Sequence, residues 1–460
     1  LFVTEPNHKP IAVLGGGATG LAAAYKLVQL GRTVRLFEAG VRLGGAVQSE
    51  RTGGWLVEAG PNTILENHRD ILTLVTELGL DSERVVAGPT AKNRYVVRDG
   101  KLHALPTSPL ELWRTKLFSA HSKRKLFTEL WAKPQERAND IGLAELVALH
   151  FGQEVVDYAL NPFVSGVYAG DPAKLSTQHT FPQLLAGEQS HGSLVRGQLA
   201  QSKARRERGE PTNRIISFRD GLQTLTDALA RRLPDGAAEL NATVKNLRTA
   251  LGLPWSVTWT RDGADHTEEF GAVVVALPAA ALAKITFGID AHHPMALLDE
   301  VIHPPVTSVF LGFRREQVSH PLDGFGALMP AVEKRKILGV LFSSSLFPAR
   351  APEGHVGLTA MVGGAMRPDL AALSSDDLRA TIMTELRELL GISGEPVFQR
   401  INAWPRAIPQ YNLGHDRFLD EIATCEQMYG GLFIGGQARN GIALPNCLRA
   451  GLTLGEKAAR

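Results

Sequence analysis

The chain has 460 residues, 44% of them hydrophobic, enough to bury a large core in two or three domains. Its 49 basic and 47 acidic residues leave a formal charge of +2, a balance that argues against a general nucleic-acid or membrane field. Cys425 and Cys447 are the only cysteines and the 14 histidines include no His-Glu-x-x-His, so neither a disulfide framework nor a zinc centre is supported, and a reducing compartment fits best.

Residues 1–10 lack an apolar signal core and an arginine-rich transit pattern, and read as a polar lead into the first strand with no secretion indicated. That strand, Ile11-Ala12-Val13-Leu14, breaks into Gly15-Gly16-Gly17-Ala18-Thr19-Gly20 and then into the helical pattern Leu21 to Leu27. Gly15 permits a tight turn, Gly17 lets backbone approach a pyrophosphate, and Gly20 lets the helix pack closely on the strand, so a diphosphate meets a helix N-terminus. Glu38 closes the next predicted strand, 33–37, at the offset where a carboxylate accepts ribose hydroxyls and repels a 2′-phosphate. This favours FAD or NAD over NADP. A basic, glycine-flanked loop follows, Arg42-Leu43-Gly44-Gly45, and then Gly53-Gly54-Trp55 and Glu58-Ala59-Gly60-Pro61-Asn62. Such a loop suits neutralisation of a pyrophosphate and delivery of backbone N–H groups to an isoalloxazine, which points to FAD.

The first ~90 residues alternate strand and helix as a parallel α/β unit does, without completing a sheet. The missing strands are expected at 238–244 and 272–277, and the last at 430–437, followed by 440–445 and a helical tail over 447–459. The N-terminus of that tail would turn its dipole toward the electron-rich edge of a flavin ring. The chain therefore reads as α/β, with a discontinuous Rossmann-like FAD-binding domain contributed by 1–90, 209–280 and 425–460.

Between these pieces, 91–208 reads as a helical insert, with Leu110, Trp113, Leu117 and Phe118 and then Leu126, Phe127, Leu130 and Trp131 at helical spacings. Residues 111–137 hold seven Lys or Arg and three Glu, a net charge of +4, with Lys123-Arg124-Lys125 between the two aromatic faces. Basic residues beside an amphipathic Trp/Phe/Leu stripe suit a helix lying on an anionic lipid surface; the alternative is a solvated basic face over an ordinary core. Residues 203–212 read as an exposed linker. The most apolar window, 271–285, is interrupted by Pro278 and falls short of the ~18 to 20 residues that span a bilayer. In 281–424 strands dominate, at 309–313, 337–342 and 356–362, and a mostly antiparallel mixed sheet there would form a substrate domain, one wall of a cavity against the flavin domain.

Five further segments carry a family likeness: Lys92 to Gly100; Pro162-Phe163-Val164-Ser165-Gly166-Val167-Tyr168-Ala169-Gly170-Asp171-Pro172; Phe325 to Pro330; Leu338 to Ser344; and Gly441 to Cys447. Together with the ordered glycine motifs they make the chain, from about residue 11 to its end, resemble the flavin amine oxidase superfamily and within it the protoporphyrinogen oxidase family. The resemblance implies FAD-dependent, O2-linked, six-electron oxidation of protoporphyrinogen IX to protoporphyrin IX in haem or chlorophyll biosynthesis. It also implies peripheral attachment to a membrane through the helical insert: cytoplasmic at the inner membrane in a bacterium, or on an organelle membrane in a eukaryote. Ferrochelatase and a second copy of the chain are the partners it suggests.

By position in the family motifs, Arg94 matches an arginine that meets a substrate propionate. Leu328, Leu341 and Met361 match apolar residues that sandwich the macrocycle, and Gly166 and Gly170 fall in a loop that approaches it. For FAD the likeness carries to Gly15, Gly17, Gly20, Glu38, Arg42, Gly45, Ala46, Gly60, Pro61, Asn62, Val244, Trp404, Gln437, Ile442, Ala443 and Leu444. Ala46, where relatives carry a larger side chain, and 437–440, which replaces a Gly-Asn-like segment, depart from the pattern at the flavin's edge.

A porphyrinogen is a mostly apolar disc with anionic tails, so its site needs aliphatic walls and one or two cations more than an acid/base dyad. No residue is singled out as a general base. The family chemistry is hydride transfer from a meso carbon to the flavin, in which the protein supplies placement and exclusion of water. Coproporphyrinogen III is the nearest rival substrate, since its two extra propionates call for a more basic cavity. An amine or carotenoid oxidoreductase on the same scaffold, or a non-catalytic flavoprotein, are further alternatives.

Overall fold

The computed structural model describes residues 9–89, 91–135, 137, 139–211, 214–249 and 254–460. The polar lead expected over residues 1–10 therefore lies almost wholly outside the described residues. Ile11–Leu14 is buried on both faces and forms the centre of a five-stranded parallel sheet. The order across it is Ala238–Glu239, Val34–Phe37, Ile11–Leu14, Ala272–Val275 and Leu432–Ile434. Strands covered on both faces need apolar side chains in both directions, which is why Ile-Ala-Val-Leu and Ala-Val-Val-Val are continuous runs.

Ile11 and Val13 face a core made with the helices Ala18–Gln29, Arg69–Glu77, Gln223–Ala230 and Leu444–Ala459. Ala12 and Leu14 face another, built from a four-stranded sheet carrying Trp255, Trp259 and Phe287 and from the helix Asp416–Met428.

The second lobe is a seven-stranded sheet ordered Phe398–Trp404, Val306–Arg314, His355–Gly363, Gly339–Leu341, Gly324–Leu328, Asn93–Arg98 and Lys101–Ala104. It is antiparallel except where Gly324–Leu328 runs parallel to Asn93–Arg98. One face is a dry core: Val309, Leu311, Phe313, Val340, Leu358, Ala360 and Val362 pack against the helix Ser375–Leu390. The other face turns toward the parallel sheet.

Four expectations need correction. Residues 93–104 are not helical but a hairpin on the edge of the seven-stranded sheet, closed by Asp99 and Gly100 at φ of 52° and 70°. Asp-Gly with both φ positive is the favoured two-residue hairpin turn, so the helical region starts only at Pro109–Arg114. The segment 238–244 is not one strand. Asn241, at φ 56°, turns the chain, so Ala238–Glu239 joins the parallel sheet and Thr243–Arg248 opens the four-stranded one. Residues 203–207 are the last turns of the helix Leu194–Glu207, which Ser193 caps, rather than a linker; their Arg, Lys and Glu are good helix formers. Residues 281–424 do not act as one sheet unit either, because Thr286–Phe287 pairs with Thr243–Arg248 and Asp416–Met428 packs beside the parallel sheet.

Candidate active site

Three glycine loops stack at the carboxyl end of the parallel sheet, the place where open α/β sheets bind ligands. Gly15 has φ of +100° and a side chain there would strike the Ala276 carbonyl, while a Cβ on Gly20 would lie 1.8 Å from the Gly15 carbonyl oxygen. Both glycines are thus required by the protein's own packing. Gly17 is different: its φ of −74° suits any residue and a Cβ would meet nothing within 4 Å. The open space above Gly17 is the cradle that a pyrophosphate would fill, and the residues present fit a dinucleotide.

Gly44 N donates to Gly16 O at 2.8 Å, a Cβ on Gly45 would lie 3.0 Å from the Gly17 Cα, and a Cβ on Gly60 would lie 2.1 Å from the Ala46 carbonyl oxygen. Loops 15–20, 42–47 and 60–62 therefore touch in sequence. Glu38 accepts from Gly16 N and Gly40 N, one bond to each carboxylate oxygen and both 2.7 Å, which leaves lone pairs on both oxygens for ribose hydroxyls. Ala242 N donates to Glu38 O at 2.9 Å, and Val244 follows on the next strand, so Val244 sits at this nucleotide end. Arg42 turns onto its own loop: it donates to the carbonyls of Leu43 and Gly45 and to Gln48 Oε1. Asn62 Nδ2 donates to Gly60 O at 3.1 Å.

A second helix N-terminus reaches the same end. Leu444–Ala459 runs parallel to Ala18–Gln29 in direct contact: a Cβ on Gly451 would lie 2.2 Å from the Thr19 carbonyl oxygen, and one on Gly455 2.7 Å from that of Ala23. Neither helix start has a side-chain cap or an acidic residue in its first turn, so both positive dipole ends are left for a ligand. Ala443 is the exposed N-cap, preceded by Ile442; Gln437 Nε2 donates to Ile442 O at 3.2 Å. The Gly-x-x-x-Gly of 451 and 455 is readable in the sequence as a close-packing signal and was not among the expected site residues.

Loop 60–62 is anchored to the second lobe. Trp404 Nε1 donates to Ala59 O at 2.9 Å and Ser308 Oγ donates to the same carbonyl at 3.4 Å. One residue earlier, buried Glu58 accepts from Ser49 Oγ (2.6 Å), Leu222 N (3.0 Å) and Arg350 Nη2 (2.8 Å). Burial pushes the Glu58 carboxyl up and the Arg350 guanidinium down, and their contact opposes both shifts. Sequence reasoning missed this pair, whose members lie far apart in the chain.

The remaining predicted residues converge by register. Arg94 pairs with Gly326, Gly326 with Leu341, and Leu341 with Thr359; one step along, Val96 pairs with Leu328, Leu328 with Gly339, and Gly339 with Met361. Directly paired residues and residues two apart share a face, so Arg94, Leu328, Leu341 and Met361 lie on one side of the sheet. Ser308 and Trp404 belong to the same face and contact the cofactor loop. Gly166, on the helix Asn161–Tyr168, abuts this face: a Cβ there would lie 2.3 Å from Leu328 Cδ2. Gly170 packs on Gln410 instead. Arg94 is an exposed residue, and its guanidinium carbon lies 5.6 Å from the centre of the Phe325 ring. Among the described residues Arg98 pairs with Glu154 and Arg400 with Glu50, whereas no carboxylate pairs with Arg94.

In the helical region the expected apolar stripe divides. Leu117 and Phe118 are buried, whereas Trp113 is 78% exposed, Trp131 66% and Phe127 63%, the last two rings meeting at 5.1 Å. No helix among the described residues is long and apolar enough to cross a membrane.

Residues 18–454 match the family of flavin containing amine oxidoreductases. The chain is 34% identical, over 97% of its length and 92% of the relative's, to protoporphyrinogen oxidase 2, chloroplastic/mitochondrial, of Arabidopsis thaliana. It is 28% identical to coproporphyrinogen III oxidase of Bacillus subtilis, with 97% of each chain covered. A crystal structure of a candidate protoporphyrinogen oxidase from Exiguobacterium sp. 255-15 superposes with a TM-score of 0.83 at 26% identity, covering 99% of both chains.

Proposed function

The chain belongs to the flavin-containing amine oxidoreductases, and we propose that it oxidises a porphyrinogen, protoporphyrinogen IX, to the porphyrin with O2 as final acceptor. It is an FAD enzyme, and the bound flavin supplies the two-electron acceptor, used three times for a six-electron oxidation. The observation that carries the substrate assignment is the shared face of Arg94, Leu328, Leu341 and Met361, beside the loop that Trp404 holds.

On that face Leu328, Leu341 and Met361 offer an aliphatic bed for the ring, and Gly166 lets the helix Asn161–Tyr168 close directly on Leu328. Arg94 gives one propionate a charge-assisted contact. Because Glu154 and Glu50 already neutralise Arg98 and Arg400, the face is modestly basic, which favours the dicarboxylate over the tetracarboxylate coproporphyrinogen III. The residues bind and orient the disc and exclude bulk water, and no side chain is assigned as a general base.

The proposal extends to attachment. Exposed Trp113, Phe127 and Trp131 share their segment with exposed Lys116 and Arg124, while Lys123 donates to the Trp113 and Thr115 carbonyls, a combination suited to an anionic lipid surface. Sedimentation with anionic vesicles should fall sharply when the three aromatic residues become Ser.

The substrate test is an anaerobic mix of the flavoprotein with protoporphyrinogen IX, followed by flavin absorbance and porphyrin fluorescence. Rapid bleaching with matching porphyrin formation is the expected result. Flavin that stays oxidised with this substrate but bleaches with coproporphyrinogen III would reverse the assignment.

A further inference from the structure

The turn 437–443, which carries Ile442 and Ala443 and starts the C-terminal helix, is held by two buried residues that no glycine motif or apolar wall accounts for. Tyr411 Oη donates to the Gln437 carbonyl and accepts from Gly441 N–H at 2.8 Å, so a single hydroxyl bridges the start of the turn to Gly441 within it. One O–H and two lone pairs allow both bonds at once. The His415 ring stacks on the Tyr411 ring, centroids 4.3 Å apart at 26°, and its Nε2 lies 2.9 Å from the Ala438 carbonyl oxygen.

A carbonyl only accepts, so Nε2 carries the hydrogen, while Nδ1 is buried with no partner among the described residues. The imidazole is therefore neutral; burial, with His179 beside it, pushes its pKa down to about 4, and burial raises the Tyr411 hydroxyl well above its ordinary value. Neither group changes charge near neutrality. Both are fixed dipoles, and between them they hold three backbone groups of one turn, which follows Gly436 and contains Gly441, at φ of 117° and 105°.

The same segment grips the other side of the site. Ser176 N donates to Tyr411 O at 2.8 Å, Leu413 N to Lys174 O at 2.9 Å, and Gln410 Nε2 to Tyr168 O at 2.8 Å. Residues 410–415 thus link the loop after the helix Asn161–Tyr168 to the turn 437–443. The Tyr411 and His415 side chains bond the 437–443 backbone while the backbone of their own segment and the Gln410 side chain bond 168–176, so the segment ties one to the other.

We propose that Tyr411 and His415 are positioning residues for the flavin, which fix the 437–443 turn so that its backbone N–H groups and the start of the C-terminal helix meet the cofactor. N–H dipoles at that edge favour negative charge on the reduced ring, so loosening the turn weakens binding and lowers the reduction potential. The inference requires the family's flavin and is independent of the porphyrinogen assignment.

The test uses Tyr411→Phe, which keeps the ring and the stack and removes one hydroxyl. Titrating the apoprotein with FAD should give a Kd raised about tenfold, the scale of one hydrogen bond lost. The midpoint potential should move negative by the ~30 mV that a tenfold change in a two-electron equilibrium represents. Hydrogen exchange should quicken across 437–443 and stay at the wild-type rate across 15–20. His415→Phe, which keeps a stacked ring but removes the bond to Ala438, should shift the same readouts about threefold, and it decides the matter should Tyr411→Phe not fold. A folded variant with wild-type FAD affinity and potential overturns the proposal, as does an equal rise of exchange in both loops, which marks a general structural role.

Discussion

The nucleotide end and the seven-stranded face meet at the Ala59 carbonyl, which Trp404 and Ser308 hold, but are specified by different parts of the chain. At the nucleotide end backbone meets backbone: Gly20 on Gly15, Gly60 on Ala46, Gly451 on Thr19, each with a carbonyl oxygen less than 2.5 Å from where a Cβ would stand. On the sheet face side chains do most of the work: Gly166 meets the flexible end of Leu328, although within the strands themselves a Cβ on Gly326 would lie 2.2 Å from the Val340 carbonyl oxygen. A backbone clash has nowhere to go, whereas a leucine terminus rotates. The cofactor end should therefore be brittle and the substrate face adjustable, which is how one scaffold serves many substrates with one coenzyme.

The sharpest way to break that contrast is to add a side chain at both places. Gly20→Val and Gly451→Val should each cost more than about 3 kcal/mol and leave the protein unfolded or colourless, because neither carbonyl can move without dislodging a core helix. Gly166→Ala should cost only about 1–2 kcal/mol in urea melts and retain flavin, while KM rises as Leu328 is displaced into the substrate space. Equal stability losses in all three would show that the face is as rigid as the turn.

A second comparison divides the sheet itself. Leu311 is fully buried on the dry face and Leu341 is half-buried on the other. Leu311→Ala should cost about 3 kcal/mol with KM unchanged, and Leu341→Ala about 1 kcal/mol with weaker binding of substrate and of competitive inhibitors. A Leu341→Ala protein that loses stability yet keeps those affinities would make Leu341 a packing residue only. Arg94→Ala follows in size: loss of a charge-assisted contact worth about 1.5–3 kcal/mol should raise KM roughly 10- to 100-fold with kcat held, because ground and transition states share the carboxylate. An unchanged KM in a folded variant would remove Arg94 from the site.

How far these parts were legible follows from what each is made of. The strand, glycine turn, helix and Glu38 lie within 28 residues, and their spacing alone announces the nucleotide end. Arg94 joins Leu341 and Met361 only through strand register with a segment more than 200 residues away, which no local pattern encodes; their grouping rested on family resemblance. The hairpin at Asp99–Gly100 carried its own turn signal but was overshadowed by the helical periodicity that follows. Asn241 divided what looked like one strand because a single positive φ leaves no trace in hydrophobic pattern. Glu58, Arg350, Tyr411 and His415 read as ordinary polar residues, since a buried polar contact shows only once its partner is placed.

The smallest expected effect on the fold is the most telling for the contrast. Gly17 has an ordinary φ and free space where a Cβ would stand, so Gly17→Ala forces nothing in the protein to move. Alanine is a poorer N-cap than glycine, but it also restricts the unfolded chain, and the two effects offset to within about 1 kcal/mol. Apoprotein melting should thus hardly change. The methyl group would nevertheless stand where a pyrophosphate approaches the helix start, and FAD affinity should fall about tenfold, read by titration of the apoprotein with flavin fluorescence. An unaltered affinity would mean that the phosphates take another path over the turn, and that Gly17, unlike Gly15 and Gly20, answers to neither the fold nor the cofactor.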